Sequence, residues 1–283
     1  MVTRNEENEA LIMKRSVCTF IIVTQALLGS SRGFAVEIIG HRGASYDAPE
    51  NTLASFKLGY QQKADADELD IYLTKDGKIV VMHDANTART AGVSNKLAAA
   101  TFDELRKLDV GQWGKWKGKG FSEKIPSLDE VLALIPEGRR LFIEIKCGPE
   151  VLPELGRALQ RAGKKPEQTV LIGFGYDTMK QAKAALPNLQ ALWLVSAEKK
   201  TKQYPPVQEL IQKTKAAKLD GLDLESGFPI DSAFVQKVHS AGLKLYTWTV
   251  DDPEVARKEA VAGVEGITTN RPGWLREQLA ASP

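Results

Sequence analysis

The chain has 283 residues, of which 43% are apolar and 26% are charged, and its formal net charge is +2 at pH 7. This composition is typical of a globular protein and excludes a fibrous or disordered chain. The 38 basic and 36 acidic residues are nearly balanced and form no basic stripe, so we expect no nucleic-acid partner.

Residues 1–35 are typical of a secretory signal peptide. The basic pair Lys14-Arg15 precedes an apolar run from Val17 to Leu28, and a small-x-small sequence ends at Ala35. We expect cleavage after Ala35, with Met13 as an alternative start, and an exported protein that is periplasmic or secreted. A membrane helix needs roughly 20 apolar residues, so we expect no stable membrane insertion after cleavage. The alternative for this run is a buried N-terminal helix.

From residue 36 onward, short apolar runs rich in β-branched residues alternate with helical patterns. The runs predict nine strands, at residues 36–40, 66–73, 79–83, 140–147, 169–174, 191–196, 222–225, 244–250 and 266–269. Helical patterns separate most of them, the first at 52–64 and the last at 253–262. This alternation predicts one α/β domain, residues 36–283, with a parallel sheet or a barrel.

Nine strands are one too many for an eight-stranded barrel, and the extra one lies early in the chain. Only residues 74–78 separate the second run from the third, which is too short for a crossover helix. Asp76-Gly77 within this gap is a strong signal for a tight turn. The pattern fits either a hairpin or one strand with an extended return.

Residues 84–126 interrupt the alternation a second time. They contain few strand signals, followed by Trp113, Trp116 and Phe121 among several glycines. A segment of this length without regular structure is usually functional or a small subdomain. We therefore expect an insertion over the barrel mouth, with a plain surface excursion as the alternative.

Two of the three histidines follow predicted strands. His41 comes directly after residues 36–40, and His83 ends the run at 79–83. The C-terminal strand ends of an α/β barrel build its active site, and histidine can exchange a proton near neutral pH. These two side chains are therefore a candidate acid–base pair, although either one alone would fit a structural role. His239 lies within a helical pattern and is expected at the surface or in packing.

Carboxylates alternate along two of the predicted strands. Glu68 and Asp70 share one face of their strand, and Glu144 shares a face with Lys146. Acids that point into a barrel repel each other, and a divalent cation would relieve that repulsion. A site built only from oxygen ligands suits Mg²⁺ or Ca²⁺ better than zinc. The alternative is that Glu144 and Lys146 form only an ion pair.

Arg42 and Lys146 would place positive charge beside such a metal site. The anionic oxygens of a phosphodiester need partners of this kind, and arginine can bind them with two nitrogens. Glu50-Asn51 precedes the first predicted helix, where an N-terminus also favours a nearby anion. The simpler interpretation makes Glu50 a first-turn charge and Asn51 a helix cap.

Eight short segments, in order along almost the whole chain after residue 40, carry a resemblance to the glycerophosphodiester phosphodiesterase family. They are HRGA at 41–44, APENT at 48–52, ELDI at 68–71, TKDG at 74–77, VVMHD at 80–84, IPSL at 125–128, IEIK at 143–146 and TWTV at 247–250. The combination is specific, whereas any single segment would not be. The resemblance implies a TIM-type (β/α)₈ barrel with a small insertion after the third strand.

The resemblance also implies an activity, which is the hydrolysis of small-molecule glycerophosphodiesters to an alcohol and sn-glycerol 3-phosphate. It implies one divalent cation, Mg²⁺ or Ca²⁺, as the cofactor. It assigns the site residues as follows: Glu68, Asp70 and Glu144 as metal ligands, His41 and His83 as the acid–base pair, Arg42 and Lys146 as phosphate contacts, and Glu50 and Trp248 as further parts of the site wall.

Three parts of the sequence depart from the pattern of that family. Asp251 stands where Asn is frequent, and Gly173 stands where Ser is common. The closing segment usually reads closer to Ile-Thr-Asp-x-Pro, whereas residues 267–272 read ITTNRP. None of these changes removes a proposed catalytic group, but they leave the pocket for the departing alcohol undefined.

Two other functions use the same residues. A phospholipase D-like or phosphoinositide-type enzyme acting on lysolipids would need an exposed apolar rim, for which Trp113, Trp116 and Phe121 are the candidates. A non-enzymatic binding barrel would keep the scaffold but would be expected to lose a ligand or a histidine. The sequence leaves the head-group preference, the choice of metal and the oligomeric state open.

Overall fold

Parallel strands wound into a closed ring form the centre of the protein, whose computed structural model describes residues 36–281. The predicted signal peptide, residues 1–35, lies outside the described residues. The strands are β1 (Glu37–Gly40), β2 (Ala66–Leu73), β3 (Ile79–Val81), β4 (Arg140–Ile145), β5 (Thr169–Gly173), β6 (Gln190–Val195), β7 (Gly221–Glu225), β8 (Lys244–Trp248) and β9 (Gly266–Thr269). The order β1-β9-β8-β7-β6-β5-β4-β2 closes through a β1–β2 pairing. The eight-stranded barrel is thus confirmed.

The extra strand β3 lies outside the ring. It pairs with β2 in antiparallel register, with Ile71 opposite Val81, so this part of the chain is a hairpin. The connecting turn is stabilised by the Thr74 hydroxyl, which donates to Asp76 at 2.6 Å. Gly77 adopts φ +73°, a left-handed conformation that glycine reaches at little cost. The hairpin returns the chain along β2, where the backbone N–H of Met82 donates to the carbonyl oxygen of Asp70 at 3.0 Å, and His83 follows directly.

Ten α-helices accompany these strands within the described residues. They are α1 (Leu53–Gln61), α2 (Ala88–Ala91), α3 (Phe102–Leu105), α4 (Leu128–Leu134), α5 (Leu152–Ala162), α6 (Tyr176–Ala185), α7 (Val207–Ala216), α8 (Ser232–Ser240), α9 (Pro253–Ala262) and α10 (Pro272–Ala280). Thr52, rather than Asn51, caps α1, because its hydroxyl accepts from Ser55 N. The prediction that Asn51 caps this helix is therefore wrong, and Asn51 has a different task in the site.

The insertion predicted after the third strand is present. Residues 84–126 form α2, α3 and two short 3₁₀ turns around a small apolar cluster of their own, which includes Leu97, Leu105 and Ile125. Lys115 Nζ reaches across to the carbonyl oxygen of Tyr46 at 2.6 Å, so the segment contacts the loop that follows β1. Because β1 ends at the active-site face of the barrel, the insertion borders that face.

Apolar side chains fill the lower part of the barrel interior. Phe142 and Tyr246 are buried there and meet edge to face, with ring centroids 5.4 Å apart. Inward positions nearer the C-terminal strand ends carry polar groups instead, so the packed layer forms the floor of a polar chamber. Among residues 36–281, no helix combines the length and apolarity required to cross a bilayer.

Candidate active site

A cavity of about 320 Å³ opens at the C-terminal ends of the strands. It brings together seven of the nine residues that the sequence predicts for the site, namely His41, Arg42, Glu68, His83, Glu144, Lys146 and Trp248. Asp70 lies just behind the wall with 1% of its surface exposed, and Glu50 is not part of the lining. His239 lies on α8 and pairs with Glu265, outside this cavity.

The three predicted metal ligands converge. Asp70 in β2 and Glu144 in β4 are register partners on neighbouring strands, and Glu68 precedes Asp70 by one inward position. Each of the three residues offers one carboxylate oxygen, and these atoms lie within 4.8 Å of one another. This arrangement follows from the two-residue period of a strand, which puts alternate side chains on the same face. The cluster could hold one cation.

The acids in this cluster disturb one another's ionisation. Burial, reinforced by the charge of Asp70, raises the pKa of Glu144 to about 7 and that of Glu68 well above its usual value. Burial also opposes the ionisation of Asp70, but the charges of Arg42 and Lys146 outweigh it and lower that pKa to about 2. A bound divalent cation would allow all three carboxylates to ionise. The donor set therefore fits a metal that prefers oxygen ligands.

Asn51 fixes the orientation of Asp70. Its side-chain amide donates to Asp70 Oδ2 at 2.7 Å, and its Oδ1 accepts from the backbone N–H of Asp70 at 3.3 Å. Asn51 has φ +55°, a left-handed conformation that asparagine tolerates better than most residues. The sequence alone does not reveal this role, although the string Glu50-Asn51-Thr52 stands directly before α1.

Two basic side chains, Lys146 and Arg42, flank the carboxylates. Lys146 Nζ lies 3.0 Å from Glu144 and 3.4 Å from Asp70, so the ion pair considered as an alternative is real and lies within the cluster. The backbone N–H of Arg42 donates to Glu68 at 2.9 Å, and its guanidinium lies 3.5 Å from Asp70. Both basic side chains line the cavity, where they can bind an anionic ligand.

His41 is held by an amide on the far side of its ring. Its Nδ1 lies 2.8 Å from Asn270 Oδ1, which can only accept, so Nδ1 carries the proton and Nε2 keeps its lone pair. Burial, together with the neighbouring charge of Arg42, lowers the pKa of His41 to about 4. The imidazole is therefore neutral near pH 7 and can accept a proton at Nε2.

His83 is anchored by a chain of charged groups. Its Nδ1 lies 2.8 Å from Asp84, which in turn accepts from Arg89 Nε at 2.7 Å. Arg89 also donates to both carboxylate oxygens of Glu50, at 2.7 and 3.0 Å, and Glu50 accepts from Arg42 at 2.8 Å. Glu50 therefore holds two arginines behind the cavity instead of forming its wall. Arg89, from the insertion, was missed because nothing in its neighbourhood marks it.

Aromatic residues shape the rest of the cavity. Trp248 and Phe174 both line it and meet edge to face at 5.4 Å. Trp116 is buried and packs edge-on against Phe121, so these two residues do not provide the exposed apolar rim that a lysolipid enzyme would use. The guanidinium of Arg89 lies over the ring of Trp113, with its carbon 4.9 Å from the ring centroid.

Asp223 is a further acid of the cavity, not predicted from the sequence. It lies on β7, is fully buried, and lines the cavity together with Leu194 and Trp248. Neither of its carboxylate oxygens has a hydrogen-bond partner among residues 36–281. Burial, with a contribution from the charge of Glu144, raises its pKa well above the usual value. The alternation of Asp223 and Glu225 along β7 repeats the pattern of β2 and could have marked it.

Residues 41–274 match the model of the glycerophosphoryl diester phosphodiesterase family. A glycerophosphodiester phosphodiesterase from Caldanaerobacter subterraneus is 34% identical over 244 residues, which cover 84% of this chain and 95% of the relative. A glycerophosphodiester phosphodiesterase from Bacillus subtilis is 32% identical, with 83% of each chain covered. Relatives of this identity and coverage share the whole barrel domain.

Solved structures agree with this result. A phosphodiesterase from Oleispira antarctica, in complex with the product sn-glycerol-3-phosphate, superposes with a TM-score of 0.76 and 28% identity, covering 87% of this chain and 97% of that one. A glycerophosphoryl diester phosphodiesterase from Silicibacter pomeroyi has the same TM-score with 26% identity, covering 86% and 92% of the two chains. The chain therefore belongs to the glycerophosphoryl diester phosphodiesterase family and is a phosphoric diester hydrolase.

Proposed function

We propose that the protein hydrolyses glycerophosphodiesters to an alcohol and sn-glycerol 3-phosphate, in a metal-dependent reaction with His41 and His83 as the acid–base pair. The observation that carries this proposal is the meeting of three carboxylates, two basic side chains and two histidines at a single cavity. The family to which the chain belongs and the product complex of a structural relative support the same substrate class.

The metal would be held by Glu68, Asp70 and Glu144. Their oxygens lie close enough to share one cation. Burial, reinforced by the charge of Asp70, raises the pKa of Glu144 and of Glu68, and a bound cation would offset both effects. Oxygen ligands of this kind suit Mg²⁺ or Ca²⁺. When bound, the ion supplies positive charge that polarises the phosphoryl oxygens.

Arg42 and Lys146 would bind the oxygens of the phosphate group that form no ester bond. Both side chains face the cavity and are already held by acids, so they need no reorganisation when substrate binds. Fixed donors of this kind stabilise charge that grows on phosphoryl oxygens in the transition state. Substrate binding and rate acceleration would therefore depend on the same two residues.

His41 would act as the base and His83 as the acid. His41 is neutral near pH 7 because burial and Arg42 lower its pKa to about 4, so Nε2 can take a proton from the attacking hydroxyl. As the new P–O bond forms, the bond to the departing alcohol breaks, and His83, anchored by Asp84, delivers a proton to that oxygen. The attacking hydroxyl belongs to water, or to the substrate's own glycerol with a cyclic phosphate as the first product.

The activity can be tested by measuring the release of glycerol 3-phosphate from glycerophosphocholine, glycerophosphoethanolamine and glycerophosphoglycerol. We expect release with Mg²⁺ or Ca²⁺, loss of release with a chelator, and recovery when the ion is restored. Absence of product from every diester would refute the proposal. Faster cleavage of lysophosphatidylcholine than of any soluble diester would favour the lysolipid enzyme instead.

We also propose that residues 1–35 are removed during export and that the mature protein is periplasmic or secreted. The basic pair, the apolar run and the small residues before Val36 support this proposal. N-terminal sequencing of the protein from fractionated cells should find Val36 first. A cytoplasmic protein that retains residues 14–35 would contradict it.

A further inference from the structure

Asp223 places a carboxyl group where its surroundings offer no hydrogen-bond partner. Its register partners on the neighbouring strands are Leu194 and Tyr246, and its side chain is fully buried. The backbone carbonyl of Asp223 accepts from Trp248 Nε1 at 3.1 Å, but neither carboxylate oxygen has a partner among the described residues. The carboxyl group therefore lacks a hydrogen-bond donor.

An unpartnered buried carboxyl is costly, and folded proteins rarely keep one without a use. Asp70 Oδ1, in the cluster proposed to hold the metal, also lacks a hydrogen bond among residues 36–281, and Lys146 Nζ lies 3.4 Å from it. An oxygen of this kind in the cavity therefore indicates a position where a bound ligand supplies the missing hydrogen bond. Asp223 is not one of the three acids of that cluster, so it is available to a different part of the ligand.

The chemistry of a carboxylate restricts what this part can be. It repels the phosphate group, which Arg42 and Lys146 would bind, and it accepts hydrogen bonds from hydroxyl or ammonium groups. The glycerol part of the substrate has two free hydroxyls and is the same in every glycerophosphodiester, whereas the alcohol part varies. A fixed and buried acceptor suits the constant part. The variable part suits the open side of the cavity, where Phe174 is 43% exposed.

We propose that Asp223 accepts hydrogen bonds from the free hydroxyls of the glycerol moiety and so makes the site specific for glycerophosphate esters. This inference rests on the proposed function, because that function supplies the glycerol. It assigns Asp223 a role in substrate selection that is separate from metal binding and from proton transfer. The two oxygens of its carboxylate match the two hydroxyls in number.

The test compares two ligands that differ only in hydroxyl groups. Isothermal titration of the metal-loaded protein with sn-glycerol 3-phosphate and with n-propyl phosphate measures the preference directly. We expect the wild-type protein to bind glycerol 3-phosphate about 10–100-fold more tightly, as charge-assisted hydrogen bonds are worth about 1.5–3 kcal/mol. Asp223→Leu should abolish that preference and leave the dissociation constant of n-propyl phosphate within about two-fold, since an apolar residue of similar size cannot accept hydrogen bonds.

Asp223→Ala provides a second variant if the leucine does not fit, and Asp223→Asn, which keeps one acceptor, should retain part of the preference. Asp67→Asn is the matched control. Asp67 is also fully buried without a partner among residues 36–281, but it lies on β2 outside the cavity and packs against Gly40 and Gly59. We expect this control to keep the full preference.

Three results would overturn the assignment. They are an undiminished preference in both the leucine and the alanine variant, an equal loss of preference in Asp67→Asn, and a parallel weakening of both ligands that accompanies loss of the metal. Phosphoethanolamine, titrated as a third ligand, tests for an ammonium site. If Asp223→Leu weakens this ligand alone, that result would also overturn the assignment. Because binding is measured without turnover, failure of the wild-type protein to release glycerol 3-phosphate from diesters would instead count against the proposed function.

Discussion

The side-chain amide of Asn270 donates to Asp251 Oδ2 at 2.6 Å, and Asp251 Oδ1 accepts from the backbone N–H of Asn270 at 2.8 Å. The pair therefore brings one carboxylate and one amide into contact. Its consequence falls on His41, whose Nδ1 meets an amide oxygen at 2.8 Å instead of a carboxylate. A neutral partner stabilises the protonated imidazole less than a charged one does.

Exchanging the side chains of Asp251 and Asn270 should change the pH dependence of the reaction. In the double variant Asp251→Asn with Asn270→Asp, a carboxylate faces His41 and raises its pKa. A base works only when deprotonated, so the acid limb of the kcat/KM profile should move to higher pH by about one unit. Asn270→Asp alone places two carboxylates together and should be less active than the double variant. An acid limb that stays in place in the double variant would contradict the role of His41 as base.

Removal of either proposed acid–base residue should stop turnover without unfolding the protein. We expect His41→Ala and His83→Ala each to lower kcat by about 10²–10⁴-fold, the usual contribution of a proton-transfer group. Thermal melts of the variants should match that of the wild type. His239→Ala, which changes a surface ion pair, serves as the control and should keep normal activity. Near-normal kcat in both site variants would refute the assignment.

Arg89 should behave as a positioning residue for the site. It joins Glu50 to Asp84, so Arg89→Ala frees the groups that hold Arg42 and His83. We expect kcat/KM to fall by about 100-fold, the loss expected when reacting groups move by about 1 Å. Arg89→Lys should recover only part of the activity, because lysine cannot bind a carboxylate with two nitrogens.

The matched control for this prediction is Arg161→Ala, since Arg161 also bridges two acids, Asp129 and Glu154, but on the outer surface. It should leave kcat/KM unchanged. A wild-type value for Arg89→Ala, or an equal loss in Arg161→Ala, would show that the bridge at Arg89 does not position the site.

Ionisation of Glu259 should lower the free energy of unfolding as the pH rises. It is 2% exposed, accepts from the Thr247 hydroxyl at 2.7 Å, and has its pKa raised by burial to about 7. The folded state therefore holds this proton more tightly than the unfolded state, so the stabilisation is complete below pH 4.5 and is lost as the pH rises to about 7.

Glu259→Gln keeps the acceptor for Thr247 but cannot ionise. We expect it to raise the free energy of unfolding at pH 8 by about 1–3 kcal/mol and to have little effect at pH 4. Denaturant titrations at both pH values measure this difference. Glu254→Gln, at an exposed site on the same helix, should change neither value. Equal effects of Glu259→Gln at the two pH values would contradict the raised pKa.

The parts of the site that the sequence predicted are those governed by regular geometry. Strand periodicity places Glu68 and Asp70 on one face, and a parallel register sets Asp70 opposite Glu144. His41 directly follows β1, so the barrel fold implies its position. His83 follows β3, and the tight turn at Asp76-Gly77 that returns β3 along β2 brings it to the site. These residues could be found because a local rule determines where each side chain points.

The rest depends on contacts that no local rule predicts. Arg89 meets Glu50 from 39 positions away along the chain, and Asn270 meets His41 from 229 positions away. Asparagine is a common residue at a helix N-cap, so the sequence favours that role for Asn51. The left-handed backbone of Asn51 instead directs its side chain toward Asp70. Helix α10 is not evident from the sequence, because Pro272 at its first position is more often a sign of a turn.

The central claim is that acids from β2 and β4 hold one divalent cation. Isothermal titration of the metal-free protein with Mg²⁺ and with Ca²⁺, for the wild type and for Glu144→Gln, tests it most directly. We expect one saturable site per chain in the wild type and an affinity lower by more than about 10-fold in the variant, since even outer-sphere partners of a metal commonly contribute that much. A wild-type protein that binds neither ion, or an unchanged affinity in Glu144→Gln, would contradict the account.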